Sequence, residues 1–338
     1  MRAWAERAIL LAAGGLAFWA LRNLDLRALA GVLGPGAWGW IIFLFALSTF
    51  LAFLPSWLYL RNAGHRVPLA SFCGIMLASQ ALNSTNPLRM GFPFRVYLLK
   101  ERHRVPLGAG SLLIPLEAFA AFVVALGAAL LAAPLHHAAL AGPWRAGLVL
   151  AAISGVVATI TLARLAAAGR ISVPRRLPGR AASVARAMLE ALSRVTPLTL
   201  ANFAILYLAS DLAVAGILDT AVGAAGFDAP FLYLFAAYCA AYLIGSVSFM
   251  PQGLGTRDAA LGLLLHAAGA APDQAAYGAL VVRVATTGFS FLFGMLSAWA
   301  IGLSRKGSVS PSHRTLDALG LGGRARRAAE PREGGVGR

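Results

Sequence analysis

The length and composition of the chain indicate an integral membrane protein. Its 338 residues are 59% apolar and only 12% charged, whereas charged residues make up about a quarter of a typical soluble domain. Lys and Arg number 29 against 13 Asp and Glu, which gives a net charge of +16. Such an excess would also suit a nucleic-acid partner, so the positions of the charges decide between the two interpretations.

Six apolar segments predict full membrane spans. The first, residues 8–21, follows Arg2 and Arg7 and is not followed by a small-residue cleavage site, so we expect an uncleaved helix and not a signal peptide. Residues 37–60 hold no charge and would extend about 36 Å as a helix, enough to cross a bilayer. The remaining predicted spans are residues 107–133, 146–168, 197–219 and 276–303.

Two further apolar blocks, residues 67–88 and 229–256, run into polar residues or into Pro and Gly. If the N-terminus is cytoplasmic, 21 basic residues lie on the cytoplasmic side and three outside, as expected because short basic loops are retained there. Both ends of the first block then lie inside, and both ends of the second lie outside. We therefore predict an all-α polytopic membrane protein with about six full spans and two oppositely oriented re-entrant helical hairpins, nominally about eight transmembrane segments. Two extra full spans in place of either hairpin are the alternative.

A repeat relates the ends of these two blocks. Pro87 and Gly91 in STNPLRMGFPFRVYLL recur 164 positions later as Pro251 and Gly255 in SFMPQGLGTRDAALGLLL, where Gly253 lies between them. A helix break at membrane depth is expected only where protein or a watery cavity shelters the freed backbone groups. Inverted repeats with broken helices are typical of the substrate sites of transporters. The repeat therefore predicts a binding site at the two breaks; a chance recurrence of two Pro-Gly kinks is the alternative.

The domain organisation follows from these features. Residues 1–303 are expected to form a single polytopic membrane domain, with the repeat motifs at 83–117 and 247–283. The basic segment 169–195 predicts either a cytoplasmic helix lying on anionic lipid or a plain connector. The tail 304–338 is basic and rich in Gly, and we expect it to be a disordered cytoplasmic segment. Because the basic residues mark the cytoplasmic side, no nucleic-acid partner is expected.

Charged side chains follow both breaks, although each costs about 2.5 to 3.5 kcal/mol at the centre of a membrane helix. Glu117 and Arg283 lie in the helices after the first and second break, near the expected midplane. Structural ion pairing, such as Glu117 with Arg283, is the alternative to a role in binding. Asp211 also lies within a span, where hydrogen bonding inside the bundle would account for it. The substrate-binding candidates are Arg89, Arg95, Glu117, Arg257, Asp258 and Arg283.

At these motifs the chain resembles the flippase-like membrane family that also forms the transmembrane region of lysylphosphatidylglycerol synthetases of the multiple peptide resistance factor type. The resemblance rests on NPLRMGFPFRVYLL with PLEAF, and on MPQGLGTRDAALGLLL with LVVRV, and extends to about residue 303. Similar proteins carry a Pro-x-Gly-x-Gly stretch ending in an acidic residue, here Asp258, and an arginine in the next helix, here Arg283. Uncharged residues stand where relatives commonly carry a glutamate, an arginine and an aspartate: Phe92, Ala118 and Ala121.

The resemblance implies movement of an amphipathic lipid between the leaflets of a bacterial cytoplasmic membrane. Only 35 residues follow position 303, so we expect neither the soluble domain that aminoacylates phosphatidylglycerol nor enzymatic activity. We predict a flippase or scramblase for an anionic or zwitterionic phospholipid, in which arginines contact the phosphate. Glu117 and Asp258 would hold these arginines, or bind a cation or an amine. The alternatives are a membrane enzyme acting on lipid head groups and an accessory subunit of a lipid-modifying or glycosyl-transferring partner.

Cofactor and metal sites are not expected from the sequence. The histidines have no partner at ligand spacing, and there is no Gly-rich phosphate loop with a Lys and a Ser or Thr. Cys73 and Cys239 lie inside apolar blocks and predict small core residues instead of a disulfide. Membrane lipids are the expected partners, and a homo-oligomer remains an open alternative.

Overall fold

The computed structural model describes residues 31–85, 90–132, 189–247 and 253–300, together with isolated positions between 161 and 187. Within these residues the secondary structure is helical and contains no strand. The long helices are α1 (Pro35–Asn62), α4 (Leu107–Ala132), α5 (Pro197–Ala224) and a final helix made of α8 (Pro272–Arg283), a π-helical turn (Val284–Gly288) and α9 (Phe289–Ala300). The short helices are α2 (Leu69–Thr85), α3 (Gly91–His103), α6 (Phe231–Val247) and α7 (Thr256–Ala267).

Four helices are long and apolar enough to cross a membrane: Pro35–Asn62, Leu107–Ala129, Pro197–Ala224 and Pro272–Ala300. At most half of the most apolar window of each is buried inside the protein, and large apolar side chains such as Trp40, Ile205 and Trp299 face outward. Surfaces of this kind are stable against lipid and not against water. They confirm four of the six predicted spans. The other two, residues 8–21 and 146–168, lie outside the described residues.

The element order repeats itself within the described chain: one long helix, two short helices and a second long helix, twice. The corresponding helices have similar lengths, with 28 residues in both α1 and α5 and 17 in both α2 and α6. α1 and α5 begin alike, at Pro35 and Pro197, because proline fits the first turn, where its missing N–H is not needed. The Pro and Gly match seen in the sequence therefore belongs to a repeat of whole helices.

The two halves of this repeat run in opposite directions. α1 and α5 pack against each other as an antiparallel pair: the Tyr59 hydroxyl donates to the Ala191 carbonyl at 2.8 Å near one end. In the middle the hydroxyls of Ser48 and Ser210 are hydrogen-bonded at 3.1 Å. These two serines are 162 positions apart and occupy the same place in α1 and α5. The axis that relates the two halves therefore passes close to this hydrogen bond.

The first helix pair, α2 and α3, is antiparallel. Ser71 near its start and His103 at its end are joined by a hydrogen bond of 2.8 Å between Oγ and Nε2. At the other end of the pair Gly91 lies against the backbone carbonyl of Ser79 and the side chain of Asn83. The chain therefore enters and leaves this pair at one end and turns back at the other, where Pro87 and Arg89 lie outside the described residues.

The second helix pair, α6 and α7, has the same construction. The Tyr233 hydroxyl donates to the Leu264 carbonyl at the open end. Near the turn, Gly253 has a φ of 65°, which favours glycine, and packs directly on the backbone of Gly245. Pro251 lies outside the described residues.

The two pairs open toward opposite ends of the bundle. The end of α1 lies beside the start of α5, where Arg194 donates to the Ala63 carbonyl at 2.8 Å. The opening of the first pair lies at this end, called the basic end for its residues Arg61, Arg66, Lys100, Arg102, Arg104 and Arg194. At the opposite end, Gln274 of α8 donates to the carbonyl of Ala225, the residue after α5, at 2.9 Å. The second pair opens at this acidic end, which carries Asp219, Asp228 and Asp273.

Close packing in the first pair leads to a prediction for Gly91. A Cβ atom at this position would lie 2.5 Å from Asn83 Oδ1 and closer still to the Ser79 carbonyl oxygen. Gly91→Ala should therefore push α3 away from α2 and lower stability by about 1 to 3 kcal/mol, measured as a lower midpoint of thermal unfolding in detergent. Gly262→Ala in α7 is the matched control, because no atom lies within 4 Å of its Cβ position. Equal midpoints for the two variants would contradict this packing.

Candidate functional site

A polar cavity of about 330 Å³ is lined by described residues near the turn ends of the two helix pairs and in the middle of the long helices. It separates two apolar clusters: one contains Phe72, Leu113 and Phe203, the other Leu218, Leu234 and Leu261. The cavity therefore interrupts the apolar core at about half its depth. Its polar and charged lining comes from both halves of the chain: Ser48, Thr49, Ser79, Gln80, Asn83, Arg95, Glu117, Tyr207, Ser210, Asp211, Tyr238, Tyr242, Ser246, Arg257, Thr286 and Ser290.

Equivalent positions of the two halves both line this cavity. Ser48 and Ser210 lie at the axis, and the residues that follow them, Thr49 and Asp211, both line the wall. Phe92, in the first turn of α3, and Arg257, in the first turn of α7, also both line it. At the equivalent positions Thr49 and Asp211, the first half supplies an uncharged hydroxyl and the second half a carboxyl group.

Arg95 and Glu117 form the first charged contact of the cavity. Arg95 is only 2% exposed, and its Nη1 donates to Glu117 Oε2 at 2.8 Å. The other carboxylate oxygen, Oε1, accepts a 2.5 Å hydrogen bond from the Ser56 hydroxyl. A buried ion pair is stable only when further hydrogen bonds satisfy both partners. Glu117 meets this condition, and it ties α4 to both α1 and α3.

The Arg95 guanidinium is only partly satisfied. Nη1 contacts Met76 Sδ at 3.3 Å, and the group lies 5.4 Å from the centre of the Phe92 ring. Nε and Nη2 are buried and have no hydrogen-bond partner in the described part of the chain. An unsatisfied buried donor costs free energy that a bound acceptor would recover. These two N–H groups therefore mark a place for an acceptor.

Arg257 supplies the second guanidinium of the cavity, from the start of α7. It lies over the rings of Tyr238 and Tyr242, at 4.8 and 5.6 Å from their centres, a geometry in which an aromatic face stabilises a cation. Its Nη2 is buried and, like the two Arg95 nitrogens, has no hydrogen-bond partner among the described residues. Two arginines, one from each half, thus bring unsatisfied donors to one cavity.

Asp211 brings an acidic group to the same cavity, from the middle of α5. No ion pair within the described residues involves it; the ion pairs found there are Arg95 with Glu117, Arg194 with Glu190, and Arg283 with Asp258. From the sequence, Asp211 is a weaker candidate than the other charges, because hydrogen bonding inside the bundle would account for it. Its position inside a span, directly after Ser210, the counterpart of Ser48 in the repeat, is the signal that could have identified it.

Asp258 and Arg283 form a separate ion pair beside the cavity and do not line it. Arg283 Nε donates to Asp258 Oδ1 at 2.9 Å and Nη2 donates to Oδ2 at 2.6 Å, the two-pronged geometry that gives arginine its strongest carboxylate contacts. Asp258 Oδ2 also accepts from the backbone N–H of Gly255 at 3.2 Å. This pair fixes the start of α7 to the end of α8.

The predicted site residues therefore divide into three groups. Arg95, Glu117 and Arg257 line the cavity, Asp258 and Arg283 pair beside it, and Arg89 lies outside the described residues. The pairing of Glu117 with Arg283 that the sequence left open is wrong, because each has another partner in its own half of the repeat.

A bundle of apolar helices with a charged cavity between two broken helix pairs defines a multi-pass membrane protein with an internal polar site. The chain belongs to the family described as the lysylphosphatidylglycerol synthase TM region, whose model matches residues 7–294. This match confirms the resemblance seen at the two motifs. A search of curated proteins finds none that matches the chain.

The Arg95–Glu117 pair leads to a prediction about stability. Glu117→Gln leaves Arg95 buried without a counter-charge, so it should destabilise the protein by about 3 to 5 kcal/mol, seen as a large drop in the thermal midpoint in detergent. Glu190→Gln is the control, because Glu190 and its partner Arg194 are 69% and 48% exposed and such pairs contribute at most about 1 kcal/mol. If both variants lower the thermal midpoint by the same small amount, the Arg95–Glu117 pair does not stabilise the packing of α3 on α4.

Proposed function

We propose that this protein moves a phospholipid between the two leaflets of the membrane, and that the cavity holds the lipid head group during passage. The observation that carries this proposal is the pair of cavity arginines with unsatisfied buried donors, Arg95 and Arg257. Phosphate oxygens are strong acceptors for guanidinium groups. A phosphate between the two would satisfy donors from both halves of the repeat at once.

The surroundings of the cavity suit a lipid better than a water-soluble solute. Large apolar side chains cover the outer faces of the long helices, so acyl chains can stay in the bilayer while the head group enters. Broken helices that meet near the midplane are a common way for transporters to place a polar site inside an apolar bundle. In this proposal the two helix pairs are re-entrant hairpins, one from each side of the membrane.

A carrier fits the carboxylates better than an enzyme does. Head-group chemistry would need an acid–base pair, and Glu117 and Asp258 are the carboxylates that follow the two breaks. Each is held in an ion pair, at 2.8 Å to Arg95 and 2.6 Å to Arg283, and each accepts a further hydrogen bond. These two carboxylates thus serve to position other groups, which favours transport over acid–base catalysis by Glu117 or Asp258.

The proposed orientation places the basic end in the cytoplasm of a bacterial cell, because basic residues near span ends are retained there. The acidic end then faces outward. The first hairpin would enter from the cytoplasm and the second from outside.

Cysteine labelling tests this orientation. In a background with Cys73→Ala and Cys239→Ala, Asp273→Cys should react with a membrane-impermeant maleimide on intact cells, because Asp273 is exposed at the acidic end. Arg66→Cys, exposed at the basic end, should react only after the membrane is permeabilised. The reverse pattern would show the opposite orientation.

A reconstituted translocation assay tests the transport proposal. Arg257→Gln removes a charged donor from the cavity and should slow phospholipid translocation in proteoliposomes about tenfold or more, since a hydrogen bond to a charged group contributes about 1.5 to 3 kcal/mol. The readout is dithionite bleaching of acyl-labelled phospholipid. Arg66→Gln, an exposed arginine outside the cavity, should keep the wild-type rate. A folded Arg257→Gln variant with an unchanged rate would reject the cavity as the path of the lipid.

A further inference from the structure

The second half of the repeat carries one cation and one acid in the cavity that are not paired with each other. Arg257 and Asp211 both line the cavity, yet no ion pair joins them among the described residues. Opposite charges in an apolar bundle normally pair, because isolation from water makes each of them costly. The separation of Arg257 from Asp211 therefore has a physical cause, and it leaves both groups available to a ligand.

The cause is the aromatic wall of α6. The Arg257 guanidinium lies over Tyr238 and Tyr242, so the rings hold it against α6, whereas Asp211 projects from α5. Cation–π contacts of this kind contribute about 0.5 to 2 kcal/mol and favour this position of the guanidinium, which forms no ion pair with Asp211. The cavity thus keeps a donor site and an acceptor site at separate points of its wall.

The charges of the cavity indicate which ligand would satisfy both the donor site and the acceptor site. Arg95 and Glu117 neutralise each other at 2.8 Å, although Arg95 keeps two free N–H groups. What remains is the positive charge of Arg257 and the carboxyl group of Asp211. A purely anionic head group would satisfy the arginines but would leave Asp211 facing a negative ligand, and like charges across an interface favour a different partner.

We propose that the cavity selects a head group that carries both a phosphate and a protonated amine. The phosphate lies between Arg95 and Arg257, and the ammonium group donates to the Asp211 carboxyl. The inference rests on the proposed lipid transport and names its substrate class. The cavity volume of about 330 Å³ is at the small end for ligand sites, which fits one compact head group such as phosphoethanolamine.

The repeat shows that this acceptor site belongs to one half only. Thr49, the equivalent of Asp211 in α1, also lines the cavity but cannot carry a charge. The hydroxyls of Ser48 and Ser210 lie next to these two residues and bond each other. The ammonium group therefore has a single acidic partner among the described residues of the cavity that is not already in an ion pair.

A comparison of translocation rates for three lipids in proteoliposomes tests the inference. Three acyl-labelled lipids are compared: phosphatidylethanolamine, its N-acetylated form, which keeps the phosphate but lacks the ammonium, and phosphatidylglycerol. Wild-type protein should move phosphatidylethanolamine fastest. Asp211→Asn should slow phosphatidylethanolamine about tenfold, as expected for loss of a charged hydrogen bond, and should leave the other two lipids unchanged or faster. Asp211→Thr, which copies the equivalent Thr49, should behave in the same way if the asparagine variant does not fold.

Asp219→Asn is the matched control, because Asp219 lies on the same helix but is exposed and does not line the cavity. It should leave all three rates unchanged. If wild-type protein moves the three lipids equally, or if Asp211→Asn slows them all alike, amine selection by Asp211 is wrong while lipid transport stands.

If wild-type protein moves none of the lipids, the proposed transport fails and binding decides the inference. Native mass spectrometry of protein purified with equal amounts of phosphatidylethanolamine and phosphatidylglycerol then gives the result. Preferential retention of phosphatidylethanolamine that is lost in Asp211→Asn supports the site. Equal retention of both lipids overturns it.

Discussion

The structure depends on one constraint: a helix that breaks at membrane depth must not expose its freed backbone groups to lipid. Those groups have no water to bond, and each unsatisfied one costs several kcal/mol. The described residues on either side of the two breaks, such as Asn83, Arg95 and Ser246, line the cavity inside the protein. Glycines at the breaks, Gly91 and Gly253, let the chain turn back directly against its own backbone. A polar cavity at the meeting point follows from this sheltering, since the breaks bring amide, hydroxyl and charged groups together.

The two ion pairs connect equivalent helices of the two halves with different residues. Arg95 on α3 pairs with Glu117 on α4, and Asp258 on α7 pairs with Arg283 on α8. In each half the ion pair joins the second short helix to the long helix that follows it. The sign of the charges is reversed between the halves: the short helix carries the cation in the first half and the acid in the second. The two halves therefore share an ion pair between the second short helix and the long helix that follows it, although different residues form this pair in each half.

Much of the fold could be predicted because it depends on local patterns. Charge-free apolar length identified spans such as Pro35–Asn62, and the Pro and Gly spacing identified the two breaks. Ion-pair partners could not be predicted in this way, because hydropathy gives the depth of a residue and not the direction in which its side chain points. Glu117 and Arg283 have similar expected depths, yet each turns toward the arm of its own half. Their partners depend on the turns between helices, such as Arg104 at a φ of 55°, which follow from packing and not from periodicity.

The asymmetry of the cavity follows from combining a nearly symmetric scaffold with different polar residues in its two halves. The axis that relates the two halves passes close to the hydrogen bond between Ser48 and Ser210. A ligand bound only to equivalent groups would have no fixed orientation about that axis. Each half supplies one arginine to the cavity, Arg95 and Arg257. Asp211 comes from the second half alone, whereas its counterpart Thr49 carries no charge, so the carboxyl group that is in no ion pair among the described residues breaks the symmetry of the cavity.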